Sequence, residues 1–168
     1  MQKTKSKNIR FAFIGTIVPA KGLHLLIDAF NAIKNESAEL KIYGKLYAYA
    51  GLESYLPSLK KMAKNKNIKF MGDFKHEDIA HVYRDIDVLI VPSMWHENAP
   101  LVINEAFLSK TPVIASDIGG IPELIRDGVD SMLFKAGNVE DLRKKIRYVI
   151  DISGIMQEFR KNMSRVKS

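Results

Sequence analysis

The sequence predicts a doubly wound α/β fold, in which helices cover both faces of a Rossmann-like parallel sheet of about six strands. Two observations support this prediction. Short apolar segments alternate six times with segments whose apolar residues recur at helical spacing. One apolar segment, "DVLIVPS" at 87–93, is continuous, which is typical of a parallel strand buried on both faces.

The elements follow from these patterns in chain order. The predicted strands are 9–14, 39–44, 68–72, 87–93, 112–116 and 131–134. The predicted helices are 22–34, 51–64, 75–85, 101–109, a short one within 119–128, and a helix capped by Asn138 that runs to about 150. In the short helix, Pro122 suits the first turn and Gly128 the position after the end. Residues 152–166 show an amphipathic helical pattern.

Length and composition indicate one globular domain. The chain has 168 residues, of which 46% are hydrophobic and 27% charged, enough to bury a single core. We assign residues 1–8 to a polar linker or tail and residues 9–168 to the domain. No second domain or internal repeat is visible in the sequence.

Composition also narrows the classes of partner. The net charge is +7, but the basic residues are spread along the chain and no aromatic residues are interleaved with them, which disfavours nucleic acid as a partner. The absence of cysteine excludes a disulfide framework and a thiolate metal site, and it suits a reducing, cytoplasmic location. No apolar run is long enough to span a bilayer.

In such a fold, ligands bind beyond the carboxyl ends of the strands. The loop after the first predicted strand reads "GTIVPAKG", and Gly15 and Gly22 permit a close approach or a sharp turn. We predict that Lys21 lies at the start of a helix, where a cation opposes the helix dipole, a cost that is easier to understand if an anion binds there. Taken by itself, Lys21 is better explained as a solvated surface lysine. Neither a P-loop nor a G-x-G-x-x-G motif is present, which disfavours a dinucleotide.

The loop after the fourth predicted strand contains Glu97, and Glu105 follows about one turn into the next helix. The start of that helix is an anion site, because its first N–H groups have no partner within the helix. Carboxylates would repel a bare phosphate but accept strong hydrogen bonds from hydroxyls. A phosphate flanked by polyhydroxylated groups describes a nucleotide sugar. Each glutamate alone has a simpler reading as a solvated charge.

Other polar residues give weaker signals. Asp85 and Asp87 match a D-x-D metal motif, but they precede a strand and therefore lie at the wrong edge of the sheet. The histidines show no metal-ligand spacing; His24 and His81 suit packing or surface positions. His96 adjoins Glu97 and is expected to line the site. Trp95 is more often a packing residue than a ligand platform, but its position is compatible with either role.

Five ordered segments resemble a known family. They are "FIGTIVPAKGLHLLIDAF", "FMGDF", "VPSMWHENAPLVINEAF", "TPVIASDIGGIPELI" and "DGVDSMLF". Together they resemble the carboxyl-terminal, donor-binding domain of group 1 (family 4) retaining glycosyltransferases, which have the GT-B architecture. The resemblance extends from Ile9 to about Ile150, and it implies that this chain is one half of a GT-B enzyme.

The resemblance implies a role for individual residues. Glu105 would bind the ribose hydroxyls, Glu97 the donor sugar near the reacting centre, and Lys21 the diphosphate, so that Glu97 and Lys21 are the catalytic candidates. Phe74 would border the base. The other expected donor-binding residues are Gly15, Thr16, His96, Asn98, Ala99, Pro100, Leu101 and Val102. The resemblance further implies a nucleotide diphosphate sugar as substrate, no metal, no other cofactor, and hexosyl-type transfer with retention.

The chain also departs from the family pattern. Thr16 stands where an arginine is usual, "GKLYAYAG" replaces G-x-G-P after the second strand, and Ser131 stands where glycine is common. An acceptor-binding, amino-terminal domain is expected as a partner, without which this chain should be inactive. The alternatives are a GT-B relative, such as a sugar epimerase or a phosphorylase, and a non-catalytic nucleotide-sugar-binding module. The helix at 152–166 would contact either a membrane surface or its own domain.

Overall fold

The structure, a computed structural model, describes residues 1–34, 36–46 and 51–163. Six strands form one parallel sheet in the order β3-β2-β1-β4-β5-β6, which confirms the predicted doubly wound fold. The strands are β1 (Ile9–Ile14), β2 (Ala38–Tyr43), β3 (Ile68–Gly72), β4 (Val88–Val91), β5 (Val113–Ser116) and β6 (Met132–Phe134). The strand order reverses between β1 and β4, which places the expected ligand crevice beyond their carboxyl ends.

Seven helices in the described residues connect and follow these strands. They are α1 (Leu23–Asn31), α2 (Tyr55–Met62), α3 (Ile79–Arg84), α4 (Leu101–Leu108), α5 (Ile121–Leu124), α6 (Val139–Asp151) and α7 (Ile155–Met163). One hydrophobic core lies between the sheet and α1, α2, α6 and α7, and a second between the sheet and α3, α4 and α5. Both faces are therefore covered, and the strands at the centre read as continuous apolar runs for that reason.

Most differences from the predicted boundaries have a local cause. Pro19–Lys21 forms a separate 3₁₀ turn, and Gly22, with φ of 74°, stands between it and α1. The segment predicted as one helix at 75–85 divides into a 3₁₀ turn, His76–Asp78, and α3. β4 ends at Val91, since Pro92 has no N–H group to continue the sheet. Part of the "GKLYAYAG" segment, 47–50, lies outside the described residues.

The capping prediction for α6 is confirmed. The Asn138 side chain accepts a hydrogen bond from the Asp141 N–H at 2.9 Å. This bond satisfies one of the amides that the first turn of a helix leaves free.

The amphipathic tail packs against its own domain. In α7, Ile155, Phe159 and Met163 are buried, and the first two belong to the core beneath α1 and α6. Val166, the last apolar residue of the predicted pattern, lies outside the described residues. None of the helices in the described parts of the chain is both long and apolar enough to cross a bilayer.

The two aspartates of the D-x-D motif have structural partners at the amino-terminal edge of the sheet. The Asp87 carboxylate accepts hydrogen bonds from the backbone and guanidinium of buried Arg10, at 2.8–3.1 Å. Asp85 accepts a hydrogen bond from the Thr4 hydroxyl at 2.7 Å. Asp85 thus holds Thr4 directly, and Arg10, held by Asp87, donates to the Thr4 hydroxyl and carbonyl. Lys3 donates to the Tyr83 carbonyl nearby. Residues 1–8 are thus partly tied to the domain.

Ser131, at a position where the family commonly has glycine, has a structural role. It is fully buried, and its hydroxyl oxygen accepts a hydrogen bond from the Val113 N–H at 2.9 Å, at the start of β5. Ser93 is almost equally buried, at 1% exposure, but no group in the described residues bonds its hydroxyl. The two serines therefore form a matched pair that differs in hydrogen bonding.

We predict that Ser131→Ala lowers the free energy of unfolding by about 1–3 kcal/mol, because it leaves a buried amide without its acceptor. Ser93→Ala should lower it by much less or raise it, because it removes a buried hydroxyl that has no partner. Urea denaturation of both variants measures the difference. Equal losses would show that the Val113–Ser131 hydrogen bond does not stabilise the sheet.

Candidate functional site

A cavity of about 200 Å³ lies beyond the carboxyl ends of β1 and β4. The loops that follow these strands form two of its walls, and the first turn of α4 forms a third. Among the residues singled out from the sequence, those on its lining are Gly15, Thr16, Lys21, Glu97, Pro100, Leu101 and Val102. The structure thus brings together residues from two loops that are far apart in the chain.

The loop carrying Lys21 is fixed by a close contact between two backbones. A Cβ atom on Gly22 would lie 1.8 Å from the Pro92 carbonyl oxygen, so only glycine fits there, and its positive φ also suits glycine. The Met94 N–H donates to the Ala20 carbonyl at 2.9 Å. Lys21 is therefore the last residue of a 3₁₀ turn held against the β4 loop, directly before the Gly22 N-cap, so it lies at the start of α1 as predicted.

The loop carrying Glu97 is fixed on its other side by the pair Gly119-Gly120. The Gly120 N–H donates to the Glu97 carbonyl at 2.8 Å. A Cβ on Gly120 would lie 1.9 Å from the Asn98 carbonyl oxygen, and one on Gly119 would lie 2.7 Å from the Glu97 carbonyl oxygen. The two glycines of "GGIPELI" thus support the loop by allowing this close approach.

The Lys21 and Glu97 side chains form an ion pair across the cavity. The distance between Lys21 Nζ and Glu97 Oε1 is 2.5 Å, and the side chains are 39% and 18% exposed. The resemblance implies that each residue contacts a different part of a ligand. In the structure the two side chains bind each other.

The first turn of α4 faces the same cavity. Pro100 precedes the helix, and no side chain among the described residues caps its first turn, which also lacks an acidic residue. Leu101 and Val102 lie on the cavity lining, and Leu101 is 76% exposed. Free N–H groups and the positive end of the helix dipole make this turn an anion-binding surface.

Glu105 lies in the second turn of α4, away from the cavity lining and near α3. The Tyr83 hydroxyl donates to the Val102 carbonyl at 3.0 Å. Burial, followed by the charge of Glu105, raises the pKa of Tyr83. Glu105 is half-buried beside a tyrosine that is protonated and already hydrogen-bonded to the helix.

The remaining predicted donor-binding residues are not on the cavity lining. Phe74 packs edge-to-face on Tyr43, with ring centroids 6.0 Å apart. His96, Asn98 and Ala99 are exposed on the β4 loop. Trp95 is 70% exposed, which does not fit packing, the more common of its two predicted roles.

Sequence reasoning missed Ser93, which also lines the cavity. The signal was available, because Ser93 is a polar residue two positions beyond a buried strand, at the edge where ligands bind. Lys45, in the "GKLYAYAG" segment that departs from the family pattern, lies 3.5 Å from Asp73 in an exposed ion pair.

Larger grooves occur elsewhere. One of about 510 Å³ lies between the carboxyl ends of α1 and α6, and one of about 540 Å³ lies among α4, α5 and α7. Neither is at the carboxyl edge of the sheet. In the second groove Arg126 and Asp130 pair with each other at 2.8 Å. The smaller cavity is the better candidate because charged side chains and a helix end converge on it.

No group of three or more His, Asp or Glu side chains in residues 1–34, 36–46 and 51–163 is arranged to hold a metal ion.

Comparison with known proteins identifies similar sequences. The model of the group 1 glycosyl transferases matches residues 2–166. An uncharacterized glycosyltransferase of Methanocaldococcus jannaschii is 32% identical over 83% of this chain and 37% of its own length. A D-inositol 3-phosphate glycosyltransferase of Corynebacterium glutamicum is 32% identical over 73% of this chain and 30% of its length. The chain therefore spans about a third of these curated relatives.

Solved structures show the same fold. The Anabaena protein HepE, in complex with UDP and glucose, superposes with a TM-score of 0.84 at 25% identity, over 95% of this chain and 43% of that one. The C-terminal domain of a group 1 glycosyl transferase from Francisella tularensis superposes with a TM-score of 0.83 at 20% identity, over 99% of this chain and 94% of that domain.

We predict that Gly22→Ala destabilises the fold by roughly 3 kcal/mol or more, because left-handed strain and overlap with the Pro92 carbonyl add together. Gly128→Ala is the matched control. Its φ of 77° resembles that of Gly22, but nothing lies within 4 Å of the added Cβ, so only the strain of about 1–2 kcal/mol remains. Chemical denaturation compares the two, and similar losses would contradict the proposed close contact between the loops.

Proposed function

Since this chain belongs to the group 1 glycosyl transferases, we propose that it is the donor-binding, carboxyl-terminal half of a retaining GT-B enzyme. Such an enzyme would transfer a hexose-type sugar from a nucleotide diphosphate sugar to an acceptor bound by an amino-terminal domain. The observation that carries this proposal is the meeting of Lys21, Glu97 and the first turn of α4 at the point where the strand order reverses.

The comparisons support the division into halves. The curated relatives are about three times as long as the matched region, and a similar structure is the separate C-terminal domain of a group 1 enzyme. The cavity of about 200 Å³ is also smaller than the roughly 300–1,000 Å³ of typical small-molecule sites. A second domain that faces this edge would complete the cleft.

The structural relatives also support the donor class. HepE has been crystallised with UDP, with UDP and glucose, and with UDP-glucose. The arrangement of charges here suits such a ligand. Lys21 and the α4 amides would bind the diphosphate, and Glu97 would accept hydrogen bonds from sugar hydroxyls. Glu105 would bind the ribose and Phe74 would border the base.

The proposed chemistry is electrostatic. When the bond between the sugar and the diphosphate breaks, negative charge develops on the departing phosphate oxygen. Lys21 and the positive end of α4 are positioned to stabilise that charge, in a crevice where fixed charges act more strongly than in water. On this account the chain needs no resident metal or other cofactor.

We expect the isolated chain to bind a nucleotide sugar but to transfer nothing, because its acceptor-binding half is missing. Calorimetry against UDP, GDP and ADP sugars measures binding, and a hydrolysis and transfer assay measures turnover. The same assay on the chain joined to its natural upstream sequence is the positive control. Robust transfer by the isolated chain would contradict the proposed division, and binding of no nucleotide sugar would contradict the donor role.

A second expectation concerns phosphate recognition. Lys21→Ala should weaken binding of the nucleoside diphosphate by about 1.5–3 kcal/mol, or tenfold and more, with little effect on the nucleoside. Thr16→Arg should strengthen diphosphate binding, because it restores a cation at the cavity wall.

The control for this series is Lys45→Ala, which removes a cation already paired with Asp73 at the same edge of the sheet. It should change diphosphate affinity little. Dissociation constants for nucleoside, monophosphate and diphosphate test all four proteins. If Lys21→Ala lowered the affinity for all three ligands equally, the lysine would contribute to folding and not to phosphate binding.

A further inference from the structure

In the candidate site, the Lys21 and Glu97 side chains bind each other. The two groups that would contact different parts of a donor lie 2.5 Å apart, and Glu97 is only 18% exposed. Both loops are fixed by backbone contacts, between Gly22 and Pro92 on one side and between Gly120 and Glu97 on the other. The pair can therefore be exchanged for a ligand only through movement of the side chains.

A bare nucleoside diphosphate meets two obstacles at this site. Its phosphates must draw Lys21 away from Glu97 or share it, and the Glu97 carboxylate then faces another anion. A bare diphosphate offers no hydroxyl group in return at this position. Both effects lower the apparent affinity, because only the fraction of molecules with Lys21 available binds the phosphate well.

A nucleotide sugar must also break the Lys21–Glu97 ion pair, but it offers both residues new partners. The sugar carries hydroxyl groups that donate hydrogen bonds to a carboxylate, and these bonds replace the one that Glu97 loses from Lys21. The carboxylate is then satisfied by the sugar, and the lysine by the diphosphate.

We propose that Glu97, through its ion pair with Lys21, is a specificity-determining residue that disfavours the bare nucleoside diphosphate relative to the nucleotide sugar. This inference rests on the proposed function. Its consequence is that the site releases its own product, the nucleoside diphosphate, more readily than a site with a free lysine. Removal of the Glu97 charge therefore increases the affinity for that product.

The test measures dissociation constants for UDP, GDP and ADP and for their glucose conjugates, with wild-type protein and Glu97→Gln. In the variant, the nucleoside diphosphate that binds wild-type protein best should bind roughly threefold to tenfold more tightly. The matching nucleotide sugar should bind no more tightly, or less tightly. The preference for nucleotide sugar over diphosphate therefore falls.

The matched control is Asp73→Asn, which removes the carboxylate of the exposed Lys45–Asp73 pair at the same sheet edge. It should leave the preference unchanged. Because Glu97 contacts Gly120 through its backbone carbonyl, Glu97→Gln retains that contact, and thermal unfolding verifies that the variant is folded.

The Lys21→Ala background separates the ion pair from simple charge repulsion. If Glu97 competes with the diphosphate for Lys21, Glu97→Gln should increase diphosphate affinity less in the Lys21→Ala protein than in the wild-type protein. An equal increase in affinity in both proteins would show that the ion pair is not the cause. An unchanged preference in Glu97→Gln overturns the inference alone, whereas failure of every protein to bind any ligand in the panel overturns the proposed function with it.

Discussion

The contact between the Gly22 backbone and the Pro92 carbonyl sets the geometry on which the candidate site depends. A side chain at position 22 would overlap that oxygen, so the loops after β1 and β4 can approach this closely only with glycine there. The Met94–Ala20 hydrogen bond holds the same approach. Because Lys21 is adjacent to this contact and Glu97 lies on the partner loop, the contact determines that the two charges meet. Gly119 and Gly120 support the partner loop from the other side.

The ion pair satisfies the charges of Lys21 and Glu97 within the site. A lysine and a glutamate near an uncapped helix end would each need a partner when the crevice is partly desolvated. They supply one another, at 2.5 Å. A ligand that binds here must replace that interaction for both residues. This requirement favours a molecule with an anionic part and a hydroxyl-bearing part, which is the chemistry of a nucleotide sugar.

Much of the fold was predictable because its causes are local. Strands β1 and β3 have the predicted bounds, since an apolar run that ends at a glycine is visible in the sequence. The Asn138 cap is likewise a local pattern. The setting of Lys21 was not predictable, because the close approach of Gly22 to the Pro92 carbonyl joins residues 70 positions apart in the chain. The Lys21–Glu97 pair joins residues 76 positions apart and appears only when the sheet order is known.

Backbone NMR of the labelled chain during titration with a nucleotide sugar shows whether the donor binds where Lys21 and Glu97 meet. We expect the largest amide shift changes on the loops after β1 and β4 and on the first turn of α4. We expect none at the amino-terminal edge around Asp85 and Asp87. Changes confined to that edge, or to the groove among α4, α5 and α7, would show that the donor binds elsewhere.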